Sequence, residues 1–249
     1  MTAPEASIEV RNLAIVFSRW GQEVRALDGL ELSVPAGQWL MLVGHNGSGK
    51  STLLKALTGR IAPDLGSIQI AGQNIATLKT SRIADHVFLV HQDPLLGTAP
   101  KLTLFENLMV ADHEVQVGHI RKRALVAKYE ELLRPLGLET RLKQLAQSFS
   151  GGERQLLALL IARLRPAPIM MLDEPLAALD PGKAELCLGL IRDLSQSGKT
   201  VIQVTHDPTL ALSGGDRTVL LRKGKVVYDM SSASRDLAAL SGMWSAETD

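Results

Sequence analysis

Trp39-Leu40-Met41-Leu42-Val43 is an unbroken apolar run of strand length, and it feeds directly into Gly44-His45-Asn46-Gly47-Ser48-Gly49-Lys50-Ser51. The octapeptide fits G-x-x-x-x-G-K-[ST] at every fixed position, and Ser51 to Thr58 behind it reads as a helix. A strand apolar on both faces needs helices over both, so strand, glycine-rich loop and helix in this order open a parallel α/β unit. Gly47 and Gly49 let backbone approach phosphate oxygens, Lys50 neutralises the β and γ phosphates, and the Ser51 hydroxyl is a ligand for Mg²⁺. Gly44, Asn46, Ser48 and Thr52 are counted with them as nucleotide-binding positions, although Asn46, like His45, occupies a variable place and reads as filler.

Around this unit, Ile8 to Phe17 and Leu27 to Val34 alternate apolar and polar residues, as antiparallel strands do. Further buried strands are expected at Val87 to Val90, Ile169 to Leu172 and Val201 to Thr205. From about Asp93 to Pro168 the pattern turns helical, with segments near Thr103 to Ala111, Ile120 to Leu133 and Gly152 to Leu164. Two short strands, Thr218 to Leu221 and Lys225 to Tyr228, flank the turn Lys223-Gly224, and a closing helix is expected near Arg235 to Leu240. The predicted fold is a single α/β domain over 1–249: a mixed, mainly parallel core sheet with an antiparallel β subdomain before it (1–92 and 168–249) and an inserted helical subdomain (93–167).

Two further stretches carry chemistry. Ile169 to Leu172 delivers Asp173 to the C-terminal end of a strand, where ligands of open α/β sheets bind. Asp173 is expected to hold Mg²⁺ through water, and Glu174 beside it to act as the general base that orients and deprotonates an attacking water. Upstream, Phe149-Ser150-Gly151-Gly152-Glu153-Arg154-Gln155 pairs glycines at a helix start, where unsatisfied N–H groups and the positive helix end form an anion site. The same residues fit a capping box, with Ser150 as N-cap and Glu153 as its partner. Two anion sites in one chain need two phosphate tasks.

Composition narrows the function further. Lysine plus arginine (27) nearly balance aspartate plus glutamate (26) over 249 residues, which gives no support to a nucleic-acid partner. A single cysteine, Cys187, excludes an internal disulfide and reads, between Leu186 and Leu188, as a buried small hydrophobe. The N-terminal residues lack the pattern of a secretory signal, and no apolar stretch approaches the roughly 20 residues of a bilayer-spanning helix. Any membrane role is therefore expected through a partner.

Phosphate loop, Gln92 after a strand, Ser150-Gly151-Gly152-Glu153, Asp173-Glu174, Leu179-Asp180 and His206 after a strand together resemble the ATP-binding subunit of ABC transporters. The resemblance covers nearly the whole chain. It implies an ATPase whose two subunits close head to tail, each ATP lying between one phosphate loop and the other subunit's signature turn. On that pattern Ser150, Gly151 and Gly152 contact the γ phosphate of ATP held by the partner, while Gln92 reaches Mg²⁺ and the attacking water. His206 contacts the γ phosphate, and Asp180 crosses the dimer interface to position the other site. Phe17, in preference to Trp20, is the expected stacking platform for adenine. The commonest signature form, Leu-Ser-Gly-Gly-Gln, is here Phe-Ser-Gly-Gly-Glu, with departures at Phe149 and Glu153.

The resemblance further implies ATP and Mg²⁺ as ligands, a second copy or a paralogous ATPase subunit as dimer partner, and integral membrane permease subunits. Leu95, Leu96 and Phe105 are candidates for the permease groove, and His119 with Arg121-Lys122-Arg123 forms a basic helical run. The stretch from Gln92 to Asn107, with Gly224 to Asp229, looks most like bacterial uptake ATPases assigned to tryptophan, tyrosine and related small solutes. An extracytoplasmic solute-binding protein and a peripheral location on the cytoplasmic face of the inner membrane go with that assignment. A soluble relative acting on ribosomes or DNA, and a low-turnover regulatory module, remain open alternatives.

Overall fold

The computed structural model describes residues 6–19, 22–117, 122–234, 240, 242 and 244. β1 (Ala6–Arg19) and β2 (Gln22–Pro35) form a long antiparallel pair, followed by β3 (Trp39–Val43) and α1 (Lys50–Leu57). β4 (Leu65–Ile70) and β5 (Gln73–Asn74) extend that pair, and α2 (Thr80–His86) leads to β6 (Val87–Val90). Helices α3 (Leu104–Ala111), α4 (His113–Val117), α5 (Lys122–Leu133) and α6 (Gly151–Leu164) separate β6 from β7 (Ile169–Asp173) along the chain. The remaining elements are α7 (Pro181–Gln196), β8 (Thr200–Thr205), α8 (Pro208–Ser213), β9 (Arg217–Arg222) and β10 (Lys225–Ser231). Trp20, His119, Arg121 and most of the expected closing helix lie outside the described residues, while Lys122 and Arg123 are exposed at the start of α5.

The strands form a four-stranded antiparallel sheet, β2-β1-β4-β5, and a six-stranded sheet, β10-β9-β3-β8-β7-β6. The second sheet is parallel except for β10, so the expected mixed core is present. Its central strands bury both faces, and their period of two divides the interior. Trp39, Met41, Val43, Met170 and Leu172 face the helical side with α6 and α7. Leu40, Leu42, Ile169, Met171 and Ile202 face α1 and the antiparallel sheet. The five side chains of β3 are all buried, a transfer contribution on the order of 10 kcal/mol. This rigid strand is what fixes the loop that follows it.

Cys187 is fully buried among apolar residues, and burial pushes its thiol up to about 12. Within the helices, buried Asp112 accepts hydrogen bonds from Lys128 Nζ at 2.7 Å and Tyr129 Oη at 3.0 Å, tying the α3–α4 junction to α5. Phe105 packs against the edge of the Tyr129 ring with centroids 5.5 Å apart. Phe105 is thus half-buried against the helical core. A cleft of about 440 Å³ between α2–β6 and the helices is lined by Leu96, Phe88 and Val110. Leu95 is exposed beside it without lining it.

Candidate nucleotide site

The phosphate loop owes its shape to β3 on one side and a second turn on the other. Lys223 and Gly224 both adopt positive φ, 48° and 77°, in the tight turn between β9 and β10. Gly224 N donates to Ser48 O at 2.9 Å, and Asp28 N donates to Gly224 O at 3.1 Å. The turn read from sequence as a simple hairpin therefore also buttresses the loop. Gly49, at φ 108°, opens α1, and a Cβ there would meet Ala26 O at 2.6 Å. Only glycine meets both conditions.

Lys50 Nζ lies across the loop, donating to Gly44 O at 2.6 Å and His45 O at 2.9 Å. Ser48 Oγ is buried with no hydrogen-bond partner among the described residues. An unsatisfied buried hydroxyl is costly, and a phosphate oxygen in the loop would relieve it. His45 is more than filler, which corrects its sequence reading. Its ring lies 4.0 Å from that of Trp244 at 35°, and Nε2 is 3.1 Å from Trp244 O.

A cavity of about 600 Å³ opens over the loop. It gathers Phe17, Asn46, Gly47, Gly49, Lys50, Ser51, Thr52, Gln92, Asp173, Glu174 and His206 from five separate stretches of chain. β7 delivers Asp173, half-buried, where burial and the neighbouring Glu174 charge push its carboxyl up, partly offset by Lys50 and Lys55. Glu174 sits just past the strand in the left-handed region, φ 47°, and its N–H donates to Val204 O at 3.2 Å. Such backbone costs roughly 1–3 kcal/mol and persists where surrounding structure over-determines it. The carboxylate it aims is largely buried: His206 Nδ1 lies 2.9 Å from Oε2, and Gln92 Nε2 donates to the same oxygen at 3.4 Å. Ser51, Gln92 and Asp173 thus present hard oxygen donors to one space, a set that fits Mg²⁺.

Phe17 is exposed on the cavity wall and pairs across the β1–β2 ladder with Val24. Val24, Arg25 and Ala26 also line the cavity and were missed from sequence. For Val24 the signal was its place opposite Phe17, since residues opposite an exposed aromatic share its face; Arg25, opposite Val16, and Ala26 carried no such signal.

Ser150, Gly151, Gly152 and Asp180 do not line this cavity. Ser150 is the N-cap of α6, and its hydroxyl accepts from Glu153 N at 3.3 Å while its N–H donates to Glu153 Oε2 at 2.7 Å. The expected capping box is therefore formed at an exposed turn. Gly152 packs on the stem of Lys183, whose ammonium pairs with Asp180 at 3.0 Å. Asp180 caps α7, and its carboxyl is held down by the hydrogen bond from Lys183 N and by the Lys183 side chain.

The family model described as ABC transporter matches residues 27–177. A tyrosine transport ATP-binding protein of Clostridioides difficile is 32% identical over 92% of this chain and 94% of its own length. The osmoprotectant import ATP-binding protein OsmV of Salmonella typhimurium is 32% identical, and the macrolide export ATP-binding/permease protein MacB of Shigella flexneri 33%. Each aligns over 88% of this chain, but the chain spans only 57% and 34% of those two proteins. Among solved structures, a dimeric ATP-binding cassette in a post-hydrolysis state with ADP and Pi superposes with a TM-score of 0.79. It is 25% identical, over 92% of this chain and all of that one. With the phosphate loop, the paired carboxylates and the second glycine turn in family order, these likenesses place the chain in the ABC transporter family, as an ATP-binding, ATP-hydrolysing cassette.

Proposed function

We propose that this cassette is the motor subunit of a bacterial importer of a small solute such as an amino acid, working as a head-to-tail dimer. The observation that carries the dimer is the separation of the two anion sites. An exposed glycine turn capped by Ser150 stands outside the cavity that gathers Gly47, Gly49, Lys50 and Ser51 of the phosphate loop with Asp173, Glu174 and His206. Such a turn completes a site only on another subunit. Import is supported by the osmoprotectant import relative, and an amino-acid solute by the tyrosine transport relative, which matches over 94% of its own length where the exporter is matched over 34%.

In the cavity, Lys50 exchanges its loop carbonyls for the β and γ phosphates, and Phe17 with Val24 forms the wall on which adenine stacks. Glu174 orients a water and takes its proton as it attacks the γ phosphorus; His206 holds the Glu174 carboxylate and faces the departing phosphate, and Gln92 contacts both carboxylate and water. Ser51, Gln92 and Asp173 would hold Mg²⁺, which would supply charge neutralisation to the phosphates. Ser150, Gly151 and Gly152 bind the partner's γ phosphate, and Asp180 positions that site across the interface.

No described helix is long and apolar enough to cross a membrane. Permease subunits, reached at the cytoplasmic face of the inner membrane through the cleft lined by Leu96, would supply the pathway, and an extracytoplasmic solute-binding protein the solute. Recovery of the tagged chain from detergent-solubilised host membranes tests this. An integral membrane protein in stoichiometric amount supports the reading; ribosomal or DNA-bound material alone refutes it.

A further inference from the structure

Arg141, in the connection between α5 and α6, contacts both positions at which the signature turn leaves its commonest form. Its guanidinium stands over the Phe149 ring with Cζ 4.2 Å from the centroid. Nη1 donates to Glu153 Oε1, and Nε donates to Gln144 Oε1 at 2.7 Å. Gln144 N in turn donates to Arg141 O at 2.9 Å, which closes a small ring around the guanidinium. Glu153 Oε2 is already committed to Ser150 N. Both carboxylate oxygens are therefore engaged, one by the cap and one by Arg141.

The charge matters because of where it sits. A carboxylate in the first turn of α6 competes with any phosphate for the positive helix end. A glutamine there would carry no such charge. Burial works against ionised Glu153, yet the hydrogen bonds from Ser150 and Arg141 outweigh it and hold its carboxyl below the ordinary glutamate range. The glutamate is thus anionic and needs a counter-charge before this turn can take a phosphate. Arg141 and Glu153 are only about a quarter exposed, 25% and 22% by side chain, so the pair is shielded from salt more than a surface ion pair. Phe149 beneath the guanidinium is buried, which fixes the plane in which Arg141 presents its donors.

We propose that Arg141 is a positioning residue for the signature turn: by pairing with Glu153 and capping Phe149 it sets the turn's orientation and cancels the charge that would repel the partner's ATP. The inference rests on the head-to-tail reading above. It makes Phe149, Glu153 and Arg141 one unit, in which a neutral residue at 153 removes the need for the arginine's charge.

The test uses the full chain, steady-state ATPase activity, and ATP-driven dimerisation scored by light scattering in a Glu174→Gln background. Arg141→Ala is expected to lower turnover at saturating ATP and dimer formation about 10-fold each, with ATP affinity of the monomer unchanged. Adding Glu153→Gln to Arg141→Ala is expected to restore most of both, a rescue that a merely structural arginine would not show. Wild-type turnover in Arg141→Ala, or a loss that Glu153→Gln fails to relieve, overturns the proposal. Ser150→Arg separates the two levels. If it still dimerises with ATP, the head-to-tail reading fails and this inference with it; if it does not dimerise while Arg141→Ala does so normally, this inference alone fails.

Discussion

Replacing Glu174 by glutamine removes one charge and one proton acceptor while keeping the size of a side chain held between His206 and Gln92. If Glu174 takes the proton from the attacking water, turnover falls by about 10²–10⁴, the contribution of one general base, or about 3–5.5 kcal/mol at 1.36 kcal/mol per tenfold. ATP affinity stays within a few-fold, because no phosphate-binding position changes. The structure adds a second, opposite effect on stability. Burial first, then the Glu174 charge, raises the Asp173 carboxyl above its ordinary 3.8. A raised acid makes the folded state bind protons more readily than the unfolded one, so ionised Asp173 costs stability at neutral pH. That cost fades as pH falls through the raised value toward 3.8. Glu174→Gln relieves part of it, and the variant should melt higher than the parent at pH 7, with the gap narrowing in acid. Phosphate release and thermal melts across pH 4–8, a range of about four units around the relevant titration, measure both effects. Near-normal hydrolysis would remove Glu174 from the base role; a variant that melts lower at pH 7 would refute the electrostatic reasoning about Asp173.

Phe17→Ala should weaken ATP binding by about 1–3 kcal/mol, the worth of one base–aromatic stack, read by calorimetric titration; an unchanged affinity would assign adenine to another surface. Gly49→Ala should lose nucleotide binding and destabilise the fold, since its Cβ would meet Ala26 O at 2.6 Å on a backbone of φ 108°; thermal shift with and without ATP reports both. Asp112→Ala strands buried Tyr129 Oη at the α3–α4 junction and leaves Lys128 Nζ to Glu114 alone, and should cost about 1–3 kcal/mol in urea unfolding. Cys187, its thiol pushed up to about 12, should resist thiol reagents at pH 8 in the folded chain and react at once in denaturant.

The strands around the phosphate loop were legible because each is a short, doubly buried apolar run ending in a chemically marked residue, as β7 ends in Asp173. β4 was not, because Gly66 at φ 83° packs against the carbonyls of Arg11 and Asn12, and that close approach erases the apolar alternation at the strand's start. α7 was legible and overlooked: Asp180-Pro181 is a helix start, and Cys187, Leu190, Ile191 and Leu194 follow at helical spacing. Phe105 was ambiguous for the opposite reason. An apolar residue on an amphipathic helix points to core or groove depending on a neighbour, here Tyr129, more than twenty residues away. The site's side chains could be named from motifs, but the Lys223-Gly224 buttress under Ser48, the His45–Trp244 contact and the Arg141 bridge join segments far apart in sequence. Their signals are single residues with no local pattern.

The central claim is that each ATP is hydrolysed between one subunit's phosphate loop and the other's signature turn, and mixing two defective chains tests it most directly. Lys50→Ala disables the phosphate loop and Ser150→Arg the signature turn, so neither variant alone should turn over ATP. In an equimolar mixture about half the pairs are mixed, and each mixed pair keeps one intact composite site; activity should return to about a quarter of the wild-type value. Full activity of Ser150→Arg by itself, or no recovery on mixing, would contradict the account.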